Sequence, residues 1–247
     1  MRTKKTTGMD GEEISIPIAD TPSGTKHPIM MGVIVATIIV FMLQFCTTLE
    51  WQRIWLMFQF NSFLSGSYWT IITAQFAHYP PQLNLYVAII HIGFNLWFLY
   101  LFFNNSLDRI GWKALLIFLT GGILSFLVFG FVYPDTFLMG ISGCVSASLG
   151  MYFVLFPNNT VSLICIKSKH LQDIHSVEDV IKLKKHIYFR EVKASKYILG
   201  WFIVQVGFVT GEHYSEIDGV VPAYLCHVVA WLIGAGLAYL YIKIGKK

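Results

Sequence analysis

Six apolar stretches, five near the length that crosses a bilayer and the fifth in order shorter, set the limits on what this chain can fold into. They run from about Ile29 to Cys46, Leu85 to Phe103, Trp112 to Tyr133, Met139 to Phe156, Tyr197 to Thr210 and Val221 to Ile242. A helix needs about 20 apolar residues to span the hydrocarbon core, and only helices or closed barrels satisfy their backbone groups there. Charged residues make up 13% of the chain and hydrophobic ones 55%, whereas about 25% charged is usual for a soluble domain. The sequence therefore predicts an all-α integral membrane protein with six transmembrane helices. The net charge of +4 is modest, and nothing points to a nucleic-acid partner. Four cysteines (Cys46, Cys144, Cys165, Cys226) show no metal or disulfide spacing, so neither metal nor cofactor is expected.

The remaining segments are polar or amphipathic. Residues 1–28 mix Lys, Thr, Asp, Glu, Gly and Pro and read as a mobile tail. Trp51, Ile54, Trp55 and Phe58 recur at helical spacing, which predicts an amphipathic helix lying in the interface. Gly66 breaks it, a second aromatic piece runs from Tyr68 to His78, and Pro80-Pro81 ends it. Residues 157–195 read as a polar, basic loop with a weak helical pattern at Val177, Val180 and Ile181. The membrane domain thus covers 29–243, with 244–247 as a short end. Lys4, Lys5, Arg109, Lys113, Lys167, Lys169, Arg190, Lys193, Lys243 and Lys246 all fall on one side of the six spans, and Arg53 alone falls on the other. By the positive-inside rule both termini and the basic loop are cytosolic.

With that topology four polar residues gather in the outer half of the bilayer. Ser142 lies roughly 5 Å below the outer end of its helix, His91 and His227 roughly 9 Å, and Asn95 roughly 15 Å, at ~1.5 Å per residue. Polar groups at such depth are costly unless paired or functional. Ser142, Ser146 and Gly150 share one face of the fourth span, and His227, Ala230, Gly234 and Ala238 share one face of the sixth. Small faces let backbones approach closely, which would bring a serine hydroxyl to an imidazole and activate it as a nucleophile. Helix N-terminal N–H groups at Ser142, with His91 and Asn95, would then donate to an oxyanion. No carboxylate occurs near that depth, so no third triad member is expected. The plainer alternative is that Ser142 is a helix cap and that His227 serves a proton path. Cys144 lies about 200° round the helix from Ser142 and should face away. Asn104-Asn105-Ser106 and Asn158-Asn159-Thr160 are glycosylation sequons by pattern, both on the cytosolic side and so predicted unused.

His91-Ile92-Gly93-Phe94-Asn95, Gly140-Ile141-Ser142-Gly143, and His227 with Gly234 seven residues on together resemble the rhomboid family of intramembrane serine proteases, over roughly residues 30–243. The resemblance implies a rhomboid-like six-helix bundle with a membrane-associated first loop at 50–81 and a water-filled cavity open to the outside. It implies Ser142 as nucleophile and His227 as general base. His91, Asn95 and the Ser142 backbone N–H would be the oxyanion donors, with Gly140, Gly143, Ala230 and Gly234 as packing residues. Implied partners are the lipid bilayer and transmembrane substrates cut near their outer ends. Several positions depart from the family. Trp69-Thr70 stands for a Trp-Arg pair, Ser146 for an aromatic packed on the catalytic histidine, Ala230 for Gly and Asp108 for Glu. The stretch from Pro80 to Ile90 and the 157–195 loop are longer than in bacterial relatives. The alternative readings are a catalytically silent rhomboid-like protein that binds membrane clients, and a small transporter using His91 and His227.

Overall fold

Apolar runs bounded by capping residues become helices in the computed structural model, which describes residues 13–20, 27–167, 187–210 and 223–245. The pattern at Val177, Val180 and Ile181, most of the N-terminal tail and Val221 lie outside these residues. Pro28–Phe45 forms α1, opened by Pro28 at its first position and by His27, whose Nδ1 accepts from the Ile29 N–H. The first loop holds three short helices, α2 (Leu49–Trp55), α3 (Phe60–Leu64) and α4 (Thr70–Phe76). Thr48 caps α2 through the Trp51 N–H, and Asn84 caps α5 (Leu85–Phe98) through the Val87 N–H.

Helix α5 does not stop at Phe103 as its apolar run predicts. It continues through a π-helical turn at Leu99–Phe103 into α6, Asn104–Ile110. The polar run Asn104-Asn105-Ser106 looked like a break. Its side chains are instead buried and satisfied: Asn104 Oδ1 accepts from the His27 N–H, and Asn105 and Ser106 donate to carbonyls one turn back. Gly111, at φ +64°, ends the helix in a conformation suited to glycine. There follow α7 (Lys113–Val132), α8 (Ser142–Leu155), α9 (Ala194–Thr210) and α10 (Tyr224–Ile244).

Among the described residues four helical stretches are long and apolar enough to cross a membrane: Pro28–Phe45, Leu85–Ile110, Lys113–Val132 and Tyr224–Ile244. The apolar helices α8 and α9 are shorter. At about 1.5 Å per residue α8 is too short for a hydrocarbon core about 30 Å thick. Bulky side chains such as Phe131, 77% exposed, cover the outside, which suits lipid and not water.

Helix α8 is the axis of the bundle, with Cys144, Ala147, Ser148, Met151 and Tyr152 wholly buried. Its contact with α10 is backbone against backbone. A Cβ on Gly234 would stand 2.0 Å from the Ala147 carbonyl oxygen, and one on Gly150 2.1 Å from that of Trp231. Helix α7 approaches as closely, since a Cβ on Gly121 would meet the Ala147 Cβ at 2.3 Å. Arg109 closes the far end of α8, donating to the Leu155 carbonyl at 2.5 Å and lying over the Phe156 ring, where the helix dipole favours a cation.

Two expectations need correction. Residues 13–20 are not simply tail, and 157–195 is not simply loop. Glu13–Asp20 (β1), Thr160–Lys167 (β2) and Tyr188–Lys193 (β3) form an antiparallel sheet in the order β1-β2-β3. Ile16 stands opposite Ile164, and Leu163 opposite Arg190. Val161, Leu163 and Cys165 alternate into a buried cluster with Tyr152 and Ile198, the period-two pattern of a half-buried strand. Phe58 is the second correction. Trp51, Ile54 and Trp55 are exposed, but α2 ends at Trp55, and Phe58 is fully buried in an isolated bridge to Leu138.

Candidate active site

The site is assembled around the stretch that precedes α8. Phe58 and Leu138 exchange backbone hydrogen bonds of 2.9 and 2.7 Å, and the Gly140 N–H donates to the Ala74 carbonyl at 2.8 Å. The first loop thus fixes Gly140 in place. Gly140 has φ +118°, a region that L side chains avoid. The position a Cβ would take lies 3.3 Å from His91 Nε2 and 3.7 Å from Ser142 Oγ. That small space, bounded by an imidazole and a hydroxyl, stays open because residue 140 has no side chain.

Ser142 is the first residue of α8, and its hydroxyl does not cap the helix. Instead Oγ lies 2.9 Å from His227 Nε2 on α10. The close crossing at Gly150 and Gly234 sets this distance, since it brings the two helix backbones into contact. Ser146, one turn below, donates to the Ser142 carbonyl at 2.7 Å. Gly143 faces the Ser125 hydroxyl and the Cys226 thiol, which are 3.0 and 3.4 Å from where its Cβ would be. Ala230 is buried on α10. Cys144 faces away from the serine, as predicted, with its thiol on Gln75 Oε1 at 3.3 Å.

His91 comes from α5, on the far side of the same space. Its Nδ1 accepts from the Tyr79 N–H at 3.3 Å. An imidazole that accepts at Nδ1 carries its proton on Nε2 when neutral, so His91 presents a donor beside Gly140. Asn95 lines the same cavity one turn on, with Nδ2 bonded to the His91 carbonyl at 2.9 Å. The cavity measures about 580 Å³ and holds Ser142, His227, His91 and Asn95 among largely apolar walls that include Phe98 and Leu149.

Three features escaped the sequence reading. Gln205 on α9 places Oε1 2.8 Å from His227 Nδ1, where a carboxylate was sought and none found. Trp201, one turn earlier on α9, lays its ring 6.1 Å from that of His227 at 37°. A glutamine inside an apolar run was the signal for the first. The third is the means of bracing the first loop where Thr70 stands for Arg. Thr70 is buried and donates to the Ser67 carbonyl. Gln44 of α1 bonds Gln52 of α2 at 3.0 Å, and exchanges hydrogen bonds with the His78 backbone at 2.8 and 2.9 Å. Gln82 also donates to the Gln44 carbonyl. His78, in the connection from α4 to α5, has its pKa lowered to about 3 by burial and by nearby His91, so it is neutral at ordinary pH. Among the described residues no group of three His, Cys, Asp or Glu is arranged to hold a metal ion.

A family model described as the Rhomboid domain matches residues 65–244. The matched stretch begins in the first loop, ends on α10 and contains His91, Asn95, Gly140, Ser142, Gln205 and His227. No curated protein matches the chain. A match over well over half of the chain, carried by the same helices that enclose the cavity, means that the chain belongs to the rhomboid family, a family of intramembrane proteases.

Proposed function

We propose that the protein is an intramembrane serine endopeptidase, cutting transmembrane helices of membrane-protein substrates near their outer ends with a Ser142–His227 dyad. The observation that carries this reading is the 2.9 Å approach of Ser142 Oγ to His227 Nε2 inside the cavity of a rhomboid domain. Ser142 Oγ attacks the scissile carbonyl carbon while its proton passes to His227 Nε2. Negative charge then develops on the carbonyl oxygen in the space over Gly140. His91 Nε2–H, the Ser142 backbone N–H and the Asn95 amide are the donors for it. His227 returns the proton to the amine nitrogen as the C–N bond breaks, leaving an acyl-serine. Water then attacks the acyl carbon and gives a proton to His227, which returns it to Ser142 Oγ as the acyl–oxygen bond breaks, releasing the carboxylic acid and restoring the serine. A substrate helix hides its carbonyls in hydrogen bonds, so residues that weaken helices favour cleavage.

The chain acts in this reading as a six-span protein, with α8 and α9 as its two short spans. Both termini and the 157–195 loop face the cytosol. The basic residues named above support that orientation. Single cysteines in the loop, challenged with an impermeant reagent on intact cells, test it; labelling of residue 170 from outside would overturn it.

The decisive experiment uses purified protein in lipid vesicles with one transmembrane substrate, products read by mass spectrometry and folding by thermal unfolding. Ser142→Ala abolishes cleavage, since it removes the attacking oxygen, and His227→Ala nearly does so. Asn95→Ala loses at most about 10²–10³ in rate, the range for one oxyanion donor, because His91 and the backbone N–H remain. Full activity in folded Ser142→Ala would overturn the protease reading.

A further inference from the structure

A histidine that takes a proton from a serine at Nε2 must carry its other proton on Nδ1, and in an apolar span that N–H needs an acceptor. No Asp or Glu lines the cavity among the described residues. What faces Nδ1 is the Gln205 side-chain oxygen at 2.8 Å, on a residue only 8% exposed. Trp201 is four residues earlier and so on the same face of α9, with its ring against the same imidazole. Tyr224, on the turn of α10 before His227, closes a further side at 6.4 Å and 84°. The position four after the serine, from which the family resemblance expects an aromatic ring, is Ser146, occupied with the Ser142 carbonyl.

We propose that Gln205 and Trp201 are positioning residues that hold His227 from α9, with Gln205 Oε1 accepting a hydrogen bond from Nδ1–H to complete an uncharged Ser142–His227–Gln205 array. The proposal rests on the serine-endopeptidase reading and deepens it. An amide oxygen suits this depth better than a carboxylate. It fixes the tautomer with Nε2 free to accept, and its dipole stabilises the imidazolium that forms. It carries no charge to desolvate before the reaction. Its distance and angle to the imidazole depend on where α9 lies, so the position of α9 governs how the imidazole is held.

The test compares Gln205→Leu and Gln205→Glu with wild type, as full-length protein in lipid. A Ser142-dependent cleavage assay, thermal unfolding and ¹⁵N spectra of histidine-labelled protein are read together, His227 being assigned by its loss in His227→Ala. Gln205→Leu keeps KM within about twofold and loses about ten- to a hundredfold in kcat, the worth of one hydrogen bond to a charged group. Gln205→Glu recovers most of that loss at high pH. Its carboxylate favours imidazolium, so the acid limb of the pH–rate profile moves up by about one unit or more. The spectra show His227 protonated on Nδ1 in wild type and a mixture of tautomers in Gln205→Leu. Unchanged kcat and pH profile in Gln205→Leu would overturn the proposal, and so would equal impairment of the Leu and Glu variants. Protonation of wild-type His227 on Nε2 would overturn it as well. Absence of Ser142-dependent cleavage in wild type would strike instead at the protease reading, and the tautomer spectra alone would then decide the Gln205 contact.

Discussion

Helix α10 is held from two sides in two different ways. Toward α8 the contact is backbone on backbone, with no room for a Cβ at Gly150 or Gly234. Toward α9 it is made by rings: Phe202 lies 4.3 Å from Trp231, Phe208 4.7 Å from Tyr224, and Trp201 6.1 Å from His227. The glycines of α9, Gly200 and Gly207, have nothing within reach of a Cβ, and Ile203 is 60% exposed. The distance between serine and histidine is therefore set by rigid main chain, whereas the direction of the imidazole is set by replaceable side chains. Distance and orientation are separable, and mutations should separate them.

Gly234→Ala has the largest expected effect. Its new methyl would stand 2.0 Å from the Ala147 carbonyl oxygen, so α8 and α10 must move apart. Overpacking costs about 1–3 kcal/mol, against a gain of up to about 1 kcal/mol in helix propensity. Thermal unfolding is expected several degrees lower and cleavage nearly lost. A variant as stable and active as wild type would break the distinction between the two contacts.

Gly140→Ala comes next. It strains a φ of +118° and fills the space between His91 and Ser142. Activity should fall by about 10² or more, as for a lost oxyanion donor. The cost to stability is about 1–2 kcal/mol, so the protein still folds. Trp201→Leu tests the softer contact: kcat should fall by about three- to tenfold, in line with an aromatic contact worth about 0.5–1.5 kcal/mol, with unfolding little changed. The smallest effect belongs to Gly236→Ala, where a Cβ meets nothing. Activity should be unchanged and stability equal or slightly higher, read by the same melting curves.

Much of this arrangement was legible in the residues, and the limits are physical. Spans show as apolar runs because a helix in the hydrocarbon core must present apolar side chains along its length. Ser142, His227 and His91 stand out because polar groups in such runs are costly. Gln205 meets the same criterion, yet its meaning depends on which face of α9 turns toward α10, and sequence spacing does not fix a crossing between separate helices. Phe58 reads as one more interfacial aromatic until Leu138, eighty residues away, supplies its backbone partner. The strand at Glu13–Asp20 pairs with residues 141 to 154 positions away, so no local signal announces it. Asn104-Asn105-Ser106 misled for the opposite reason. Their polarity suggested an end, but their hydrogen bonds were to be found inside the helix and at His27.

The sheet carries a rule of parity. Strand β1 precedes the first span and strand β2 follows α8, yet the two share hydrogen bonds from Glu13–Lys167 to Asp20–Val161. Two segments can pair only if they emerge into the same aqueous compartment. The chain between Asp20 and Thr160 must therefore cross the bilayer an even number of times. In the proposed six-span reading α1, the continuous helix from Leu85 to Ile110, α7 and the shorter α8 supply four passages, which satisfies that parity. On that count α2, α3 and α4 would add none or two, never one, and the first loop would leave the membrane on the face where it entered. This constraint comes from the pairing of β1 with β2, independently of any count of lysines.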